Sequence, residues 1–213
     1  MIKRVLFAAF LTVFASAQSN FERAVDAFLS DNEKDQEIAI NFSKKSCYED
    51  SVAAACYIAA KSMQYRFGSD YSQKEIYELY KKSCDMGDMD GCKSLGDIYN
   101  EGSGEIRQDH KTARELYLKS CAAKVGEACL EVGNFYRYEK DMEKATEFYE
   151  LACENDESYG CFTLASIYES GKEGVSKDIK KAKKFFQTAC SKGLYEACED
   201  LERLSDKPAR KGI

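Results

Sequence analysis

The chain has 213 residues, a net charge of −6, one proline and no tryptophan. Alanine, lysine, glutamate and leucine are abundant, which favours helix and disfavours a sheet sandwich. The negative charge argues against nucleic acid as a general partner.

Residues Met1 to Ala17 have a basic start (Lys3, Arg4), an apolar run from Val5 to Phe14 and Ala15-Ser16-Ala17 before Gln18. Those are the three parts of a secretory signal, with cleavage expected after Ala17. The apolar run is shorter than the roughly 20 residues of a membrane-spanning helix, and no later stretch is apolar enough to span a bilayer. Cleavage would leave 29 basic against 37 acidic residues, a net charge of −8. The expected location is secreted or periplasmic, with residues 18–204 as one repeat domain and 205–213 as a flexible tail.

After the signal, Phe21 to Leu29 and Glu37 to Ser46 read as two helices. Then the ten cysteines begin, and all fall into five neighbouring pairs: Cys47 and Cys56, Cys84 and Cys92, Cys121 and Cys129, Cys153 and Cys161, Cys190 and Cys198. An even number of cysteines in an exported chain points to a disulfide framework. There is no C-x-x-C for zinc or redox work, no haem-attachment motif and one histidine, His110, so no metal or cofactor is expected. On one straight helix, residues eight apart are separated by about 12 Å, beyond the roughly 7 Å that a disulfide spans between Cα atoms. Each pair therefore demands a chain reversal between its cysteines. Gly87 and Gly193 stand three residues after their first cysteine, where a left-handed helix cap prefers glycine; Asp156 shares that slot, and Lys124 fits it less well, so a different turn is expected there.

First cysteines recur at spacings of 37, 37, 32 and 37 residues, the mark of a repeat protein with two helices per unit. After each second cysteine comes an apolar helical face: Leu95, Ile98 and Tyr99; Val132, Phe135 and Tyr136; Leu164, Ile167 and Tyr168. Gly96, Gly133 and Ala165 share it, small enough to let a neighbouring helix approach. Before each first cysteine a partner helix carries Ala39, Ile76, Ala113, Ala145 and Ala182 in register, followed by the aromatic positions Tyr117, Phe148, Tyr149, Phe185 and Phe186. These are core residues by periodicity. The lysines between them, Lys180, Lys181, Lys183 and Lys184, lie on the outer face. The 32-residue unit joins its helices through Tyr138-Glu139-Lys140-Asp141 with almost no loop.

The recurring leucine, glycine, apolar residue and tyrosine, then a glycine loop, an alanine and an aromatic pair, resembles Sel-one-like repeats, relatives of tetratricopeptide repeats. With a signal and C-x7-C pairs, the chain is similar to the Helicobacter cysteine-rich protein family. The resemblance implies an α/α solenoid, a right-handed superhelix of helix-turn-helix repeats stapled by disulfides. It also implies penicillin binding with β-lactamase activity, or exported proteins bound by host partners. The residues themselves offer little lactamase chemistry. No serine has a lysine three positions on, as S-x-x-K requires; Lys111-Thr112 is followed by Ala113 rather than glycine; and Ser30-Asp31-Asn32 spells S-D-N without the companion motifs. No catalytic residue is assigned.

Binding is expected on the concave face of such arrays. Positions one, five and eight after each second cysteine leave the apolar stripe and form a row: Tyr57, Lys61 and Gln64; Lys93, Asp97 and Asn100; Leu130, Asn134 and Arg137; Phe162, Ser166 and Glu169. Lys93, Asp97, Asn100, Asn134, Arg137, Phe162 and Ser166 are the candidate ligand-binding residues. Such a mixed row suits a peptide, a cell-wall fragment, a β-lactam or a protein partner, with Asn134 and Arg137 placed to hold amides or a carboxylate. The protein is expected to be monomeric.

Overall fold

The computed structural model describes residues 20–30, 32–65, 71–171 and 174–205. The signal-like start and the expected tail beyond Ser205 lie outside them. Helix α1 covers residues 20–28. It is followed by α2 (Glu33–Tyr48), α3 (Ala53–Tyr65), α4 (Gln73–Asp85), α5 (Met89–Glu101), α6 (His110–Ala122), α7 (Gly126–Tyr138), α8 (Met142–Glu154), α9 (Ser158–Ser170), α10 (Ile179–Ser191) and α11 (Tyr195–Ser205). The fold is all-α, of the α/α solenoid class. Two compact units divide the chain after Ala113.

Local chemistry explains where the helices begin. Asn32, Ser72, Asp88 and Asp178 each accept a hydrogen bond from a backbone amide in the first turn of α2, α4, α5 and α10, satisfying donors that have no partner inside the helix. The cap at Asn32 starts α2 four residues before the Glu37 expected from periodicity, a signal that apolar spacing does not carry.

Each cysteine pair is a disulfide joining the end of one helix to the start of the next, with Cα atoms 4.8 Å apart at Cys47–Cys56, 4.4 Å at Cys84–Cys92, 4.6 Å at Cys121–Cys129, 4.6 Å at Cys153–Cys161 and 4.8 Å at Cys190–Cys198. The reversal inside each interval turns on one residue of positive φ: Gly87 (94°), Lys124 (70°), Asp156 (66°) and Gly193 (93°). Lys124 was expected to force a different turn, yet it adopts the same left-handed conformation. The turn's own bonds, from the Lys124 amide to the Cys121 carbonyl at 2.8 Å and from the Val125 amide to the Ser120 carbonyl at 3.1 Å, hold it there. Cys47–Cys56 has one more intervening residue, and Ser51 (φ 56°) takes the left-handed role one position later.

Within the first unit, α2 packs on α3, α3 on α4 and α4 on α5. Ala39, Leu79, Tyr80 and Ala59 are wholly buried there. In the second unit α7 packs on α8, α8 on α9, α9 on α10 and α10 on α11. Tyr149, Ala145 and Leu164 fill one cluster, and Phe186, Ala182, Ala189 and Ala165 fill the next. Burying one such aromatic side chain contributes about 1.5–3 kcal/mol, and alanine at the crossing positions lets the helix axes come close enough for it. The link between α7 and α8 is three residues long, as the shortened repeat implied.

Candidate functional site

The structure gives the predicted row very different fates in different helices. On α5, Lys93 pairs with Asp97 at 3.1 Å. The amide oxygen of Asn100 lies 3.0 Å from His110 Nδ1, and its carbonyl accepts from Gln108 at 2.7 Å. On α9, Phe162 packs edge-on to buried Phe186 with ring centroids 5.5 Å apart. Ser166 donates to the Phe162 carbonyl at 3.0 Å, and Glu169 receives both guanidinium nitrogens of Arg203 at 2.7 and 2.8 Å. Leu130 packs against the cluster around Tyr149. On α3, Gln64 accepts from the Tyr80 hydroxyl at 2.8 Å. These members therefore bond to, or pack against, their own protein.

On α7 the row borders a hollow. Asn134 and Arg137 open onto a recess of about 730 Å³ that Tyr138, Lys140 and Met142 also line. Buried Tyr149 on α8 donates its hydroxyl to Asn134 Oδ1 at 2.9 Å, so the amide oxygen is held from below and the NH₂ group faces outward, 3.3 Å from Glu131. Tyr138 is 89% exposed, the most exposed large apolar side chain described, whereas Met142 beside it is buried. The short α7–α8 turn thus puts an aromatic ring, a buried thioether and two cations around one hollow.

Two neighbouring acids are engaged by other cations. Glu139 pairs with Arg114 at 2.6 Å and Asp141 with Lys144 at 3.0 Å. The Asp141 carboxyl is held below the usual carboxylate range by the Lys144 ammonium and by the Lys144 amide that it caps. What lines the recess can donate hydrogen bonds, attract a negative group and pack on apolar matter. Among the described residues that line it there is no carboxylate, imidazole or thiol to act as a base or nucleophile. Sequence reasoning found Asn134 and Arg137 by register but took Tyr138 to Asp141 only as a turn. The available signal was an aromatic and a cation in a link too short to bury them.

The lactamase-like residues have structural uses. Ser30 donates to Asp35 at 2.6 Å and Asn32 caps α2, while Asp31 lies outside the described residues. Thr112 donates to Asp109 at 2.7 Å, in the bonding that starts α6. Among the described residues no group of histidine, cysteine or acidic side chains could hold a metal ion, and no helix is long and apolar enough to cross a membrane.

Comparison with known proteins matches the Sel1 repeat family model to residues 53–88, 90–125, 120–157 and 158–194. Cytochrome c oxidase assembly factor 7 of Xenopus tropicalis is 31% identical over 160 residues, covering 70% of this chain and 69% of that protein. A protective antigen of uropathogenic Escherichia coli, c5321, described as displaying an SLR fold, is 25% identical with a TM-score of 0.66, over 78% of this chain but 36% of the antigen. Helicobacter pylori cysteine rich protein B is 24% identical over 79% of this chain and 96% of that one, with a TM-score of 0.32.

Proposed function

Because this chain belongs to the Sel1 repeat family, a scaffold suited to protein–protein contact, we propose that it is an exported interaction module that holds a segment of a polypeptide partner at the α7–α8 recess, without chemistry of its own. The observation that carries this reading is the recess itself, where Asn134, Arg137 and Lys140 surround an exposed Tyr138 and a buried Met142. Such a surface combines an aromatic anchor with polar groups that fix orientation, the usual anatomy of an energetic centre in an interface. Tyr149 supports it from the core, since a site residue held by a buried partner is pre-organised and loses less freedom on binding. Five disulfides fit an oxidising compartment, and together with the signal-like first 17 residues they support export. The similar Xenopus protein carries the name of an assembly factor.

Site-specific photocrosslinking tests the proposal. A benzophenone amino acid at Tyr138 should trap a polypeptide that the same group at exposed Tyr65 does not. Asn134→Ala with Arg137→Ala should abolish the adduct. Tyr149→Phe, which removes only the supporting hydroxyl, should weaken it by about fivefold, the worth of one hydrogen bond of roughly 1 kcal/mol. Equal adducts from positions 138 and 65, or an adduct that survives the double substitution, would refute the recess as the contact site.

A further inference from the structure

Four cations of the second unit pair with acids, three of them across helices. Lys192 pairs with Asp156 at 2.5 Å, Arg203 with Glu169 at 2.7 Å, Arg114 with Glu139 at 2.6 Å and Lys144 with Asp141 at 3.0 Å. The start of α10 breaks this habit. Residues 177–184 hold five lysines and one acid, a local net charge of +4 in a chain of net −6. The acid, Asp178, is the helix N-cap and accepts from the Lys181 amide at 3.0 Å. Lys177, Lys180, Lys183 and Lys184 have no carboxylate partner among the described residues. Lys181 lies over the Tyr168 ring, 4.7 Å from its centroid, and that ring stacks on Phe185.

This arrangement works against the helix. The N-terminal turn is the positive end of the helix dipole, where acids stabilise and lysines do not; the first turn of α10 has no acid. Lys180 and Lys184 are four apart, and Lys180 and Lys183 three apart, so like charges face each other along one side. Lys180, Lys181 and Lys184 are exposed and stand opposite the buried stripe of Ala182, Phe186 and Ala189, whose packing keeps the helix formed despite the repulsion. A costly concentration of one charge that no described carboxylate neutralises marks a surface awaiting a complement.

We propose that the N-terminal half of α10 is a second docking surface, separate from the recess, that takes a short run of aspartate or glutamate from a protein partner. The overall charge selects this occupant over an extended polyanion. Duplex nucleic acid or an anionic bilayer would also meet the acidic remainder of the chain and be repelled, whereas a segment a few residues long touches the lysines alone. Lys181, already seated over Tyr168, sets one edge of the surface, and Lys180 and Lys184 carry the binding.

Fluorescence anisotropy on the purified oxidised chain, with labelled octa-glutamate as the probe at low ionic strength, tests this. The probe should bind, salt should weaken it, and K180Q with K184Q should reduce affinity by about tenfold, the loss of two exposed charge contacts. A control pair, K34Q with K111Q, alters net charge equally at two other exposed lysines and should change affinity less than about twofold. The recess variant Asn134→Ala should leave octa-glutamate binding intact, so the two surfaces fail or stand independently. Equal losses in both double variants would overturn the proposal, as would no binding by the wild-type chain. Preferential binding of duplex DNA or phosphatidylglycerol vesicles would overturn the choice of a peptide. Circular dichroism of K180Q with K184Q, expected to match wild type, separates lost binding from lost fold.

Discussion

Gly133→Ala is the most discriminating change to make in the helical framework beneath the recess. A Cβ built on Gly133 would lie 2.6 Å from Cε1 and 2.7 Å from Cδ1 of Tyr149, and 3.3 Å from the Ala145 carbonyl oxygen. Two effects compete. Alanine gains about 1 kcal/mol over glycine in helix propensity. Overpacking a filled core costs about 1–3 kcal/mol, and displacing the ring would strain its hydroxyl bond to Asn134, worth about a further 1 kcal/mol. Tyr149 is wholly buried and anchored at its far end, and the three-residue link gives the α7–α8 hairpin little freedom to open, so the clash wins. The expected net loss is about 1–3 kcal/mol, which lowers Tm by roughly 2–12 °C in a chain of this size. Thermal unfolding of the oxidised chain, followed by far-ultraviolet circular dichroism, measures it. In a Tyr149→Leu background, where those ring atoms are gone, Gly133→Ala should become neutral or stabilising. A Tm equal to or above wild type in the parent background would show that propensity outweighs the clash and would refute the close approach.

Two further predictions concern conditions rather than packing. Asp109, Asp141 and Asp156 have carboxyls held below the usual range, by the Thr112 hydroxyl and amide, by Lys144 and by Lys192 respectively. A depressed folded-state pKa contributes stability that is fully present above the unfolded value of about 3.9 and is lost as pH falls through the folded value. Melting temperatures should therefore hold level from neutral pH to about 5 and drop below about 4, and Asp141→Asn should make the acid limb shallower; an unchanged limb would contradict the assignment. Cys190 and Cys198 are both partly exposed while the other eight cysteines are buried, so limited reduction by dithiothreitol followed by alkylation and mass mapping should label this pair first. Its loss should cost about 2.5 kcal/mol by loop-closure entropy, and earlier labelling of any buried pair would count against accessibility as the controlling factor.

Much of the fold is legible one residue at a time. Alanine at positions 39, 113, 145 and 182 and the aromatics at 117, 149 and 186 are buried where the repeat register puts them, because helical periodicity forces those positions onto one face whatever the rest of the chain does. The disulfides follow from the same register, since paired cysteines across a reversal meet once the turn forms. Register could not foretell that Lys124 would accept a left-handed turn, because local propensity disfavours it and the bonds across the turn decide.

The candidate site is where the two kinds of information part. Sequence alone determined the helices, the pairing of cysteines and the face on which Asn134 and Arg137 lie, all consequences of spacing along a chain. Tertiary structure decided which members of that face remain presented. Glu169 meets Arg203 from 34 residues away, Asn134 meets Tyr149 from 15, and the α10 lysine side chains meet no carboxylate among the described residues. A polar side chain is spent or presented according to the partner that packing brings within about 3 Å, and that distance is a property of the folded chain.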